Sequence, residues 1–357
     1  MKIIRLLAGL SCAAMLLAGA GCGGNPAATS DSPAADVSGS ADSAPGTTAP
    51  TQPVGQQNRL SGLYDLDVGE ENRPLAFMIG NNDRSRPQIG LDKADLYVEA
   101  ETEGGITRIM AVFPNAARVP EQLTPLRSAR TPFVLLAQSL DVVYCHAGGS
   151  DMGLKTIDQT GIDHINALNY DPNGTFWRDQ TLSSQRGLEY SLSTSGENIA
   201  ARMDSMEIRK TSDRAMPYGF TDTVPSGSAV TQVQVKFSGL QTINFQYDAA
   251  QKVYKKYNGS LENAEAHTMM DGTQLSAANV LVMYDEKYME NSVTCSFRLQ
   301  SGSGAAFIGG VNVPFSWQRT DGGLSFFALD GSPLKVLPGK TYICLVANEY
   351  QGDTVVQ

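Results

Sequence analysis

Thr131-Pro132-Phe133-Val134-Leu135-Leu136-Ala137-Gln138-Ser139-Leu140-Asp141-Val142-Val143-Tyr144-Cys145-His146-Ala147-Gly148-Gly149-Ser150 is the stretch on which the fold turns. Thr131 offers an N-cap and Pro132 suits the first helical position, so Phe133 to Ser139 is expected to be helical. Asp141 to His146 then reads as a strand that ends at Gly148-Gly149-Ser150, and Asp151 to Gln159 as a helix stopping near Gly161. Upstream lie three more strand-like runs: Pro74 to Ile79 (PLAFMI), Leu96 to Ala100, and Ile106 to Phe113 (ITRIMAVF), the last launched by Gly104-Gly105. Downstream, Ser195 caps a helix running from Glu197 to about Met206. Strands alternating with helices predict an α/β, or α+β, layered domain over residues 59–215.

After Pro217 the pattern changes. Val233, Val235 and Phe237 alternate with polar residues, as do Ile243, Phe245 and Tyr247. Gly-rich turns at 301–304, 309–310, 321–323 and 330–331 separate further short apolar runs. Turn signals about every ten residues predict an all-β domain over 225–350. Alternation sends most of Phe315, Trp317, Phe326, Phe327 and Tyr342 to its core rather than to a sugar-stacking surface. No fixed-period repeat is present.

The first residues, Met1-Lys2-Ile3-Ile4-Arg5, place two cations before an apolar run from Leu6 to Leu17. That run is too short to span about 30 Å of hydrocarbon, so 1–21 reads as a signal peptide. Small residues lead into Cys22 and resemble a lipobox, with Gly19 where leucine is usual. Residues 22–58 are mostly Gly, Pro, Ala, Ser, Thr, Asp and Gln, without an aromatic side chain. Such a segment buries too little apolar surface to order itself. About 35 residues of it reach roughly 30–35 Å, the length of a membrane tether. Without Lys2 and Arg5 the chain keeps 25 basic against 37 acidic residues, a formal charge near −12. This excludes nucleic acid as a partner and electrostatic adsorption to anionic lipid. Lipid on Cys22 must then hold the protein, at the outer face of the cytoplasmic membrane. Cys295 and Cys344 could pair or remain buried thiols. No CxxC, Walker, EF-hand or GxSxG pattern occurs, so no cofactor or metal is expected.

Five ordered motifs point to a family: Arg73 to Ile79 with Arg86-Pro87-Gln88; Glu103 to Arg108; Pro125 to Arg130; Tyr144 to Ser150; and Trp177-Arg178-Asp179. Together they resemble the YerB-like family of Gram-positive lipoproteins. The second half matches it through Tyr247-Asp248, Tyr254, Asn279-Val280, Gly302-Ser303-Gly304, Trp317 and Leu337-Pro338-Gly339-Lys340. The resemblance covers nearly all of 70–347. It implies two domains of unknown function and a surface location, but no reaction. The family continues after its Arg-Asp pair with a Pro-His step, where this chain has Ser184-Gln185-Arg186. The order of ITRIMAVF, PLRSAR and HAGGS is also similar to LytR-CpsA-Psr phosphotransferases. Thr107 and Ser128 stand where those enzymes place metal-binding aspartates, which argues against the same catalysis.

Arginine is the informative residue. Guanidinium groups bind phosphate and carboxylate bidentately, and Arg127-Ser128-Ala129-Arg130 precedes a helix start. Arg108, Arg127, Ser128, Arg130, His146, Arg178, Asp179 and Glu103 are the expected ligand-binding residues. The competing reading pairs the arginines with Glu99, Glu101, Glu103 and Asp179 to hold loops. His146 follows a strand, where a general base could sit, although a satisfied histidine near a turn fits as well. The function expected is binding of a cell-wall glycopolymer or an envelope protein. The alternative is a transferase or hydrolase acting on phosphate-linked wall polymers.

Overall fold

The computed structural model describes residues 55–357, apart from 170, 172 and 322. The expected signal peptide, Cys22 and nearly all of the expected tether lie outside the described residues. The folded body begins slightly before the expected boundary. Gln56 bridges Leu66, and the buried Asn58 donates through Nδ2 to Asp95 Oδ2 at 2.7 Å.

Leu75–Gly80 (β1), Leu96–Glu101 (β2) and Thr107–Phe113 (β3) are buried along their whole lengths. Consecutive apolar residues in β1 mark a central strand covered on both faces. β3 runs antiparallel to β1 and β2, and its register sets Arg108 opposite Gly80. Helix α1 spans Thr131–Leu140 with Arg130, not Thr131, as the N-cap; Pro132 stays in the first turn, as expected. Val143–His146 (β4) pairs parallel with β1. Ser150 Oγ accepts from Gly153 N at 3.1 Å and so caps α2, Asp151–Thr160. His164–Asn166 (β5) extends the sheet parallel to β4. Phe176–Arg178 (β6) and Leu192–Thr194 (β7) form a separate hairpin that brackets α3, Gln180–Arg186. Helix α4, Gly196–Ser205, follows with Ser195 as its cap.

The C-terminal region is mostly antiparallel. It begins with the short strands Gly219–Phe220 (β8) and Ser228–Ala229 (β9). Gln232–Lys236 (β10), Thr242–Asp248 (β11) and Val253–Asn258 (β12) form a meander extended by Glu265–Ala266 (β13) and Ser276–Ala277 (β14). Asn279–Asp285 (β15) precedes a hairpin of Lys287–Met289 (β16) and Cys295–Phe297 (β17). Ser301–Ile308 (β18), Val311–Thr320 (β19) and Gly323–Ala328 (β20) form a second meander. Lys335–Val336 (β21), Thr341–Ala347 (β22) and Val355–Val356 (β23) complete the chain.

The mixed α/β region and the β-rich region share one sheet. Its order is β20-β19-β18-β15-β22-β2-β3-β1-β4-β5, and β22 lies parallel to both β15 and β2. Alternation divides the core between the two faces. On one face Leu75, Phe77, Val280, Val282 and Tyr342 meet Val233, Ile243, Phe245 and Tyr254 of the six-stranded sheet. On the other, Ala76, Met78, Val98, Leu281 and Trp317 meet Phe133, Val134 and Leu136 of α1. Phe315, Trp317, Phe326 and Tyr342 are core residues as expected, while Phe327 is half-buried. Cys145, Cys295 and Cys344 are buried free thiols.

Candidate anion-binding site

Residues 125–130 are stitched across one end of the central sheet. Arg127 N donates to Met78 O at 2.8 Å, while Ala147 N donates to Arg127 O and Ala129 N to Gly148 O, both at 2.9 Å. Leu126 N reaches Leu192 O at 3.0 Å. The loop is thereby fixed to the ends of β1 and β4 and to β7, and Arg108 arrives beside it from the start of β3. Gly80 permits the approach. A Cβ there would lie 2.4 Å from Ser85 Oγ and 3.0 Å from Arg127 Nε.

A cavity of ≈ 180 Å³ opens at this end, lined by Arg108, Arg127, Ser128, Arg178, Glu189 and apolar Leu126, Ala147, Leu168 and Leu192. Arg108 donates through Nη1 to Ser128 O at 2.6 Å and pairs through Nη2 with Glu103. Glu103 also accepts from Arg130 Nε at 2.9 Å, so Arg130 stands behind the carboxylate rather than lining the cavity. Arg127 Nη1 meets Glu189 Oε1 at 2.9 Å and Glu189 O at 2.7 Å, and its guanidinium lies 4.3 Å from the centre of the Tyr190 ring. Arg178 Nη1 donates to Leu188 O at 2.6 Å.

Electrostatics favour an added anion. Burial, then the neighbouring Arg130, pushes Arg108 down to about 10, so it stays charged at neutral pH. Burial also lowers Arg127 and Arg178. Burial alone would raise Glu103, but Arg108 and Arg130 hold it below the usual carboxylate range. Three guanidinium groups therefore share two carboxylates, Glu103 and Glu189, while Arg178 is held by a backbone carbonyl, in an acidic protein.

Two residues expected at the site are elsewhere engaged. Asp179 is the N-cap of α3; Oδ1 accepts from Leu182 N at 2.9 Å and Oδ2 from Gln122 Nε2 at 3.0 Å. Asp179→Ala should cost about 1 kcal/mol of stability, the usual loss for such a cap, and leave anion binding unchanged. Denaturant unfolding and a binding titration of the same sample check both halves. His146 is fully buried. Its Nδ1 lies 2.7 Å from Gly148 O, its Nε2 lies 3.0 Å from His164 Nδ1, and its ring stacks between Tyr144 and His164. A carbonyl can only accept, so Nδ1 bears the proton and the Nε2 lone pair receives the His164 N–H. The ring thus has no lone pair free to act as a base. Burial pushes it down to about 4.

Sequence reasoning missed Glu189, which sits in no motif, and misassigned Glu99 and Glu101. Lys287 takes Glu101 at 3.1 Å. Glu99 anchors a polar seam between the two sheets. It accepts from Asn81 Nδ2 at 2.8 Å, Thr107 Oγ1 at 2.6 Å and the Tyr342 hydroxyl, and lies 3.6 Å from Lys256 Nζ.

A protein family described as "Protein of unknown function (DUF3048)" matches with its N-terminal domain over residues 60–209 and with its C-terminal domain over 233–343. The chain is 28% identical over 294 residues to "Putative lipoprotein YerB" of Bacillus subtilis (strain 168), covering 80% of this chain and 85% of that protein. It is also similar to the crystal structure of the YerB protein from Bacillus subtilis, with a TM-score of 0.72 and 24% identity over 85% of this chain and 99% of that one. The family's N-terminal and C-terminal domains both occur here, in that order and over most of the chain: it belongs to the DUF3048 family.

Proposed function

We propose that this is a lipid-anchored protein of the cell envelope that binds a phosphate-linked wall polymer through Arg108, Arg127 and Arg178, with Arg130 holding Glu103 behind them. The convergence of three guanidinium groups on one cavity, with Arg130 behind Glu103, is the observation that supports this reading. The lipoprotein name of the Bacillus relative supports the anchor at Cys22, and with it a place outside the cytoplasmic membrane. Binding is favoured over the transferase or hydrolase alternative because His146 has both ring nitrogens engaged and Glu103 and Glu189 are held by arginines. A group so committed is poorly placed to move a proton or hold a magnesium ion.

Isothermal titration of the full mature chain with inorganic phosphate and poly(glycerol phosphate) tests the proposal. Arg127→Ala and Arg178→Ala are each expected to weaken binding about 10- to 100-fold, the range for one hydrogen bond to a charged group. Glu103→Gln removes a competing negative charge and should strengthen binding. A parent protein that binds neither probe, or arginine variants that bind like the parent, overturns the reading.

A further inference from the structure

Two side-chain atoms beside the arginine cavity are buried without a hydrogen-bond partner: Arg127 Nη2 and Asn81 Oδ1. Both residues are nine-tenths buried or more, and both line a second cavity of ≈ 40 Å³ with Gly80, Ser85, Thr107 and Arg108. Their orientations are fixed by other bonds. Asn81 Nδ2 donates to Glu99 Oε1 at 2.8 Å and to Thr107 Oγ1 at 2.9 Å; a flipped amide would set its oxygen against the carboxylate. Arg127 Nη1 is held by Glu189. Buried polar groups normally find partners, so an orphan donor and an orphan acceptor in one cavity call for an occupant.

The two orphans specify its chemistry. Arg127 Nη2 needs an acceptor, and Asn81 Oδ1 needs a donor. A phosphate or carboxylate oxygen satisfies only the first, and an ammonium group only the second. A hydroxyl satisfies both, as does the water that a ligand hydroxyl would displace. At roughly 10–15 Å³ per water-sized group, ≈ 40 Å³ admits a hydroxyl and its carbon but no sugar ring. This small cavity shares Arg108, Arg127 and Glu189 with the ≈ 180 Å³ cavity. We infer that the site takes a hydroxylated phosphoester, with its phosphate among Arg108, Arg127 and Arg178 and a neighbouring hydroxyl between Arg127 Nη2 and Asn81 Oδ1. This inference rests on the anion-binding reading and narrows it to polyol phosphates.

The test compares glycerol 1-phosphate with n-propyl phosphate, which has the same charge and carbon count but no free hydroxyl, on the full mature chain. Glycerol 1-phosphate should bind about 10- to 100-fold more tightly, because the deoxy analogue leaves buried groups unpaired. Arg127→Lys keeps the cation but removes Nη2, and should bring the two affinities close together. Equal affinities in the parent protein mean that only water occupies the small cavity, which overturns the hydroxyl subsite and leaves the anion site standing. If neither ligand binds, the anion reading falls and this inference with it.

Discussion

Replacing Lys256 by Met should lower the unfolding free energy by about 3–5 kcal/mol, the cost of leaving a buried charge without its partner. Lys256 on β12 and Glu99 on β2 are both 0% exposed. Burial lowers the Lys256 pKa, and Glu99 opposes the shift. Its Nζ also lies 2.9 Å from His267 Nδ1 and 3.3 Å from Asn258 Oδ1, while His267 Nε2 reaches Gln88 Oε1 at 2.9 Å. Gln88 Nε2 then donates to Gly80 O at 2.9 Å, so the chain of bonds ends on β1 beside the arginine site. Taking two ions out of water costs several kcal/mol each, and their attraction only roughly repays it. Loss of one partner is therefore expensive, whereas the Glu99→Gln, Lys256→Met pair should recover much of the loss. Urea unfolding of the parent, both single variants and the double variant gives the coupling. A Lys256→Met cost below about 1 kcal/mol, or single costs that simply add, would show that the pair contributes little.

That seam also explains what could be read from the chain without coordinates. β1, β2 and β3 appear within a residue or two of their expected bounds, because mostly apolar runs bounded by turns have few other ways to be buried. β22, apolar from Tyr342 onward and buried along its whole length, marks a strand covered on both faces. Nothing local to 341–347, however, says that its neighbours are β15 and β2, some 60 and 245 positions earlier. Partner choice is a tertiary property. β5, β6 and β7 escaped notice for a simpler reason: three residues are too few to display a period.

The site was legible where one loop supplies it. Arg127, Ser128 and Arg130 are close in the chain, and Arg108 opens the strand that flanks β1, so their convergence follows from strand order. Arg178 and Asp179 separate because adjacent residues diverge: one side chain lines the cavity while the other caps α3. His146 was ambiguous because its partner, His164, belongs to a pairing of β4 and β5 that no motif announced. Glu103 bridges Arg108 and Arg130 and thus satisfies both readings of the arginines at once.

The histidines lead to the second large effect, a loss of stability as the pH falls below about 6.5. His146, pushed down to about 4 by burial, stays neutral in the folded protein while the unfolded chain takes up a proton near 6.5. Above that pH both states are neutral and His146 makes no difference. Between 6.5 and 4 the unfolded state binds the extra proton, so stability drops by about 1.4 kcal/mol per pH unit, on the order of 3 kcal/mol in all. His164 is lowered by burial despite Asp158 and Asp163, and His267 by burial, Lys256 and Arg86, so all three histidines of the chain act in the same sense. Asp95 and Asp285 are raised by burial and oppose this, because they take up protons earlier in the folded state. Urea unfolding at half-unit steps from pH 8 to 5 should show a plateau above 7. Below about 6.5 the slope should exceed about 1.4 kcal/mol per pH unit, the limit for one group. His146→Asn should remove about one histidine's share of that slope. A profile that stays level down to pH 5 would mean that His146 and His267 take up protons in the folded state, and the tautomer that denies His146 a basic role would have to be abandoned.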